Sequence, residues 1–249
     1  MKITNDILAN KGIDPALFTY EEKQKIGHII DQISDLGKEK SLVSIFPSYD
    51  DSFSKEATIC KNANSARSSV DSILKDIIKV LEEMASIPSS MNNIFSTGIS
   101  KHDTDKILHE SALKMNILHS HINNALHYIG EMYSSVALLS EIQLKYNSAL
   151  YELGLINVAI KFSGKIESDE IFEAINTAFE RLNDITAFIN DLKDRAVIGE
   201  TALEKKIPSA LKEISSQLDF NNDGAELNTT KMLDAIILAK QLVTTVIER

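Results

Sequence analysis

Apolar side chains recur along most of this chain in alternating steps of four and three residues. One row runs Ile59, Ala63, Ala66, Val70, Ile73, Ile77, Val80, Met84, Ile87. A longer one runs Leu108, Ser111, Met115, Leu118, Ile122, Ala125, Ile129, Met132, Val136, Leu139, Gln143, Tyr146, Leu150, Leu153. A third runs Ile171, Ile175, Ala178, Leu182, Ile185, Ile189, Leu192, Ala196. Alternating steps of that kind average 3.5 residues and mark the seam of a left-handed coiled coil, since a lone helix repeats every 3.6. The rows predict helices over about 57–87, 103–153 and 169–197. The middle one would be a rod of roughly 75 Å at about 1.5 Å per residue.

Shorter elements flank them. Thr19 and Glu22 have capping-box spacing and open a helix carrying Ile26, Ile29, Ile30, Ile33 and Leu36, with Gly37 suited to its end. Pro88 and the segment PSSMNNIFSTG are expected to break the second helix. Gly199 and Pro208 are expected to bend the chain before a short helix with Leu211, Ile214 and Leu218. A last helix carries Met232, Leu233, Ile236, Ile237, Leu242, Val243, Val246 and Ile247. The fold class expected is all-α, an elongated bundle of long antiparallel coiled-coil-like helices, five or six in all. The 249 residues read as one elongated domain, with a short helix and linker over 1–50, the rod over 57–197, and C-terminal helices over 200–249 packing on it.

Composition supports few turns. The chain has only 9 Gly and 4 Pro, while 43% of it is hydrophobic, enough for a substantial core. Net charge is −10, which disfavours nucleic acid and anionic lipid as partners and argues against the basic concave face of BAR-type dimers. Cys60 is the one cysteine, so no internal disulfide forms. The start, MKITNDILANKG, lacks the apolar core of a cleaved signal, and no run reaches the length of a transmembrane helix. The expectation is a soluble protein, either cytoplasmic or secreted without a cleaved signal peptide.

Candidate chemistry is thin. Ser-x-x-Lys occurs at Ser72–Lys75, Ser111–Lys114 and Ser209–Lys212, without the companion motifs of penicillin-recognising enzymes. His109–Glu110 is followed at 113 by Leu, not His, so the zinc-protease motif fails, and no Glu-x-x-His pair exists for a di-metal site. No enzyme activity and no cofactor are expected. Asp219, Asn221, Asp223 and Gly224 match the first half of a calcium loop, but position twelve is Thr230 where a bidentate Glu belongs. These residues are a weak metal candidate or simply an Asn/Asp/Gly turn.

Five of six histidines lie between 102 and 127. His102, His109 and His127 fall on the outer face, and His119 and His121 flank the seam on opposite sides, where gaining charge would disturb a neighbouring apolar helix. The apolar stretch Leu153, Leu155, Ile156, Val158, Ile160 and Phe162 sits where the long helix is expected to turn. It is either a buried cap or an exposed tip for a membrane or a partner protein.

In layout the chain resembles the helical pore-forming toxins of the cytolysin A type, including their multi-component relatives. The shared features are the long heptad helices from Ala57 to Ala196, the absence of disulfides and the apolar turn at Leu153–Phe162. The resemblance implies a bacterial protein whose helices are stored in a soluble rod and rearrange on membranes. This chain lacks the strongly hydrophobic head of such toxins, which implies a component that assists rather than spans. The expected function is therefore a non-enzymatic helical assembly or interaction protein, in a toxin-like or effector system, that self-associates or binds a helical partner and contacts no nucleic acid. The alternatives are a membrane-active pore-forming component that meets a lipid membrane, and a coiled-coil scaffold with weak calcium binding.

Overall fold

The computed structural model describes residues 2–35, 49–97, 101–163, 169–218 and 229–248. Among them the fold is all-α, with helices and turns and no strand. The elements in chain order are α1 (Asn5–Asn10), a 3₁₀ turn (Pro15–Leu17), α2 (Tyr20–Asp35), α3 (Tyr49–Met84), α4 (Ile87–Thr97), α5 (Lys101–Ser163), α6 (Asp169–Thr201), a π turn (Ala202–Lys206), α7 (Ile207–Leu218) and α8 (Thr229–Ile247). The chain divides into two compact units. The first takes Met1–Ile59 and Leu138–Ile189, the second Cys60–Ala137 and Asn190–Arg249.

The second unit shows how the seams translate into packing. On α3 the buried row is Ala63, Ala66, Val70, Leu74, Ile77, Leu81 and Met84. The expected Ile73 and Val80 are half-buried, and Leu74 and Leu81 replace them in the core. On α5, Ser111, Met115, Leu118, Ile122, Ala125, Ile129 and Met132 are buried as the spacing requires. Ser111 fits because its hydroxyl donates to the Ile107 carbonyl at 2.7 Å, which satisfies the one polar group the site would otherwise strand. That bond also takes Ser111 away from Lys114, whose ammonium pairs with Glu83 at 2.7 Å. From α8, Met232, Ile236, Ala239, Val243 and Val246 enter the same core, and α8 packs against α7 and α4.

Charged pairs rim this core. Arg195 pairs with Asp71, Arg67 with Asp191 at 2.9 Å, and Lys240 with Glu82 at 2.6 Å. The Tyr133 hydroxyl donates to Glu200 at 2.8 Å; burial, reinforced by that carboxylate, pushes the Tyr133 phenol up to about 12.

Three breaks expected from the sequence take another form. The segment after Pro88 is helix α4, with proline in its first turn, where a missing N–H costs no intrahelical bond. Gly199 does not end α6: it is buried inside that helix, and a Cβ there would lie 2.9 Å from Cδ1 of Ile129 and 3.8 Å from Val246. It is glycine because α5 and α8 press close to that point. Pro208 does not end the helical path either, because the preceding turn widens to a π turn. The Ile207 amide there bonds back to the Ala202 carbonyl.

Candidate functional site

In the first unit, α5 runs straight through the stretch expected to turn. It ends at Ser163, ten residues beyond Leu153. Leu153, Leu155, Ile156 and Ile160 are only 3–4% exposed, Ala159 is fully buried, and Val158 and Phe162 are half-buried. The exposed tip is thus corrected to a covered apolar row, and the reason is the N-terminal segment. Ile3, Leu8, Ile26 and Ile30 are buried against the row, with Ile7, Ile13, Phe18 and Ile29 packed beside them and Ile175 reaching in from α6.

The local sequence builds that cover in small steps. Thr4 caps α1 by accepting from the Ile7 amide at 3.4 Å, and Gly12, at φ +71°, turns the chain after it in a conformation other residues resist. Asp14 caps the 3₁₀ turn, with Oδ1 accepting from the Ala16 amide at 2.9 Å. The capping box is formed: the Glu22 amide donates to Thr19 Oγ1 at 3.3 Å, and the Thr19 amide donates to Glu22 Oε2 at 2.7 Å. Ile26, Ile29 and Ile30 then share the face that meets α5.

Polar contacts at the rim hold the cover to α5 and to itself. The Tyr151 hydroxyl donates to Glu22 Oε1 at 2.7 Å, and Lys25 Nζ lies 5.7 Å from the Tyr151 ring centre. Lys23 Nζ donates to Asn5 Oδ1 at 2.8 Å and so ties α2 to α1. The Tyr151 hydroxyl, followed by the Thr19 amide and hydroxyl, holds the Glu22 carboxyl below its ordinary range, and the same bond to Glu22 raises the Tyr151 phenol. One polar group within this stretch of sequence is left out. The side-chain oxygen of Asn157 is buried with no hydrogen-bond partner.

The remaining candidates are scattered. His119 is exposed, its Nδ1 donating to the Met115 carbonyl at 2.7 Å, and His121 is half-buried one residue before Ile122. His127 faces Glu131 at 3.5 Å on the exposed side, and His102 and His109 are also exposed. The calcium-loop candidates Asp219, Asn221 and Asp223 lie outside the described residues. Among the described residues no three His, Cys, Asp or Glu side chains gather where a metal could sit, and no helix is long and apolar enough to cross a membrane. An open cleft of about 680 Å³ runs between α7 and α8, floored by Ala210, Ala235, Leu238 and Leu242 and rimmed by Lys206, Glu213, Lys231 and Asp234.

Ile3 and Leu8 are core residues that no sequence pattern announces. Leu8 sits on a helix of six residues, too short for a periodicity to register, and Ile3 lies before its cap. No family model, curated protein or solved structure matches the chain.

Proposed function

We propose that this chain is a non-enzymatic helical assembly protein that associates with further copies of itself through the outward faces of its long helices. The carrying observation is a set of large apolar side chains left in solvent on the first unit. Phe172 and Phe179 are 45% and 55% exposed and lie seven residues apart on α6; Leu144 on α5 is 69% exposed. Seven residues is two helical turns, so the two phenylalanines form one stripe, the arrangement that a partner helix covers in knobs-into-holes packing. Isolated exposed apolar residues mean little; two Phe in heptad register on one helix mean more.

The long helices fit that role. A helix of 63 residues extends roughly 95 Å if straight. Within the first unit Gln143 bonds Thr186 at 2.7 Å while Tyr146 lies beside Arg181, so residue numbers rise on α5 as they fall on α6. That supports an antiparallel, coiled-coil-like arrangement of α5 and α6 within this unit. Multi-angle light scattering over a concentration series tests the reading. Association in the micromolar range is expected; a monomer up to the highest soluble concentration contradicts it.

A second reading, a membrane-active component of a toxin-like system, is favoured by one feature, the apolar α5 stretch held under two short helices. Flotation with liposomes at neutral and mildly acidic pH tests it. Absence from the lipid fraction at both pH values counts against it.

A further inference from the structure

We infer that the outward stripe of α6 is a coiled-coil seam for a second copy of this chain, in which Phe172, Asn176, Phe179 and Asn183 set the two α6 helices parallel and in register. The inference rests on the self-assembly reading above and specifies its geometry.

Three observations carry it. The four residues follow one another in steps of four, three and four, and all are exposed. At 3.6 residues per turn they form one band, roughly a third of a turn from the buried row of Ala178, Ile185 and Ile189, so internal packing leaves the band open. No charge falls within it: Glu173, Glu180 and Asp184 lie farther round the helix. Finally, the side-chain amides of Asn176 and Asn183 make no hydrogen bond among the described residues.

The order of these residues selects the partner and its direction. Asn176 and Asn183 hold the a positions of a heptad, and Phe172 and Phe179 the d positions. In a parallel pair in register, a meets a and d meets d, so phenylalanine packs on phenylalanine and each amide faces its own counterpart. A carboxamide both donates and accepts, which makes it its own complement across a two-fold axis. An antiparallel pair sets each asparagine against a phenylalanine and buries an amide without a partner, which is costly. A different protein would have to bring amides at matching spacing; a second copy has them by construction. The seam is short, because Thr186, next along α6, is committed to the Leu182 carbonyl and to Gln143. A short seam with buried asparagines gives up affinity for register, so association is weak, in the micromolar range.

Cross-linking of the full chain tests it, with Cys60→Ser removing the native thiol. Asn183→Cys should oxidise to a disulfide-linked dimer at the concentrations where light scattering shows the wild type to associate. Asn183→Cys mixed with a mass-tagged Phe172→Cys should give no mixed disulfide. In the parallel register those two thiols stand eleven residues apart, roughly 16 Å along the axis, beyond the reach of about 7 Å that a disulfide allows. Antiparallel pairing reverses both results. The altered seam positions are all exposed, so circular dichroism should match the wild type. As an independent arm, Asn176→Leu with Asn183→Leu should tighten association roughly tenfold, because buried amides are replaced by apolar side chains; unchanged or weaker association counts against the seam. A wild type that associates while 183 links to 172, or while neither pair links, overturns the parallel seam and leaves the assembly reading standing. A wild type that stays monomeric, as it would if the stripe served a different protein, overturns both.

Discussion

Replacing Gly199 by alanine sets two opposing effects against each other, and the structure assigns a size to each. Alanine inside a helix is favoured over glycine by about 1 kcal/mol, because glycine loses more backbone freedom on folding. At Gly130, also on a helix, an added Cβ meets nothing within 4 Å, so the gain is realised in full. For a chain of this length that raises the melting temperature by about 2–4 °C. At Gly199 the new Cβ would stand 2.9 Å from Cδ1 of Ile129, whose side chain is 2% exposed and has little room to yield. Forcing Ile129 off its rotamer costs about 0.5–1.5 kcal/mol, which cancels the propensity gain. Gly199→Ala should therefore leave the melting temperature nearly unchanged while Gly130→Ala raises it. Ile129→Val removes the offending methyl, so the pair Gly199→Ala and Ile129→Val should be more stable than the two single effects add up to. Calorimetric melting of the four variants decides it. Equal stabilisation at Gly130 and Gly199, with no coupling to Ile129→Val, would refute the close approach of α5 and α6 at that point.

Two further outcomes follow from the charged groups. Glu22 has a folded-state pKa held below its ordinary value of 4.5, so its contribution is present above that value and is lost as pH falls through the lower one. The urea midpoint of the wild-type chain should fall more steeply on acidification than that of Glu22→Gln; parallel curves would show that the tie to Tyr151 contributes nothing. The Arg195–Asp71 pair, with side chains 9% and 30% exposed, should cost about 2 kcal/mol when Asp71→Ala strands the guanidinium. Asp191→Ala, breaking a pair 32% and 51% exposed, should cost under about 1 kcal/mol, and equal losses in denaturant melts would contradict the burial argument.

The helices were legible from their seams wherever a strict heptad and the buried row coincide, as from Ser111 to Met132 on α5. They separate further along, where Ser135 and Ile142 are buried and the expected Val136 and Gln143 only half-buried. A real helix drifts against a 3.5-residue repeat, and a face wider than a two-helix seam lets neighbouring positions share the core. Thr19 and Glu22 were readable because a capping box is local chemistry. Gly199 and Pro208 misled because the punctuation value of Gly and Pro is a local average. Gly199 answers to a neighbouring helix, and the π turn before Pro208 spares the chain the break. The covered state of Leu153–Phe162 was illegible for a further reason. Most of its partners are more than a hundred residues away in sequence, and the face that Ile26, Ile29 and Ile30 make on α2 does not say which helix it meets.

The measurement that tests the assembly reading most directly is sedimentation velocity on the wild-type chain beside the double variant Leu144→Glu and Phe179→Glu. Both positions are solvent-exposed, so the variant should keep its helical spectrum and melting temperature. Two buried carboxylates would be intolerable in an interface, so a wild-type boundary that grows with concentration should collapse to a monomer boundary in the variant. A variant that sediments like the wild type at every concentration, both associating or both monomeric, would contradict the account.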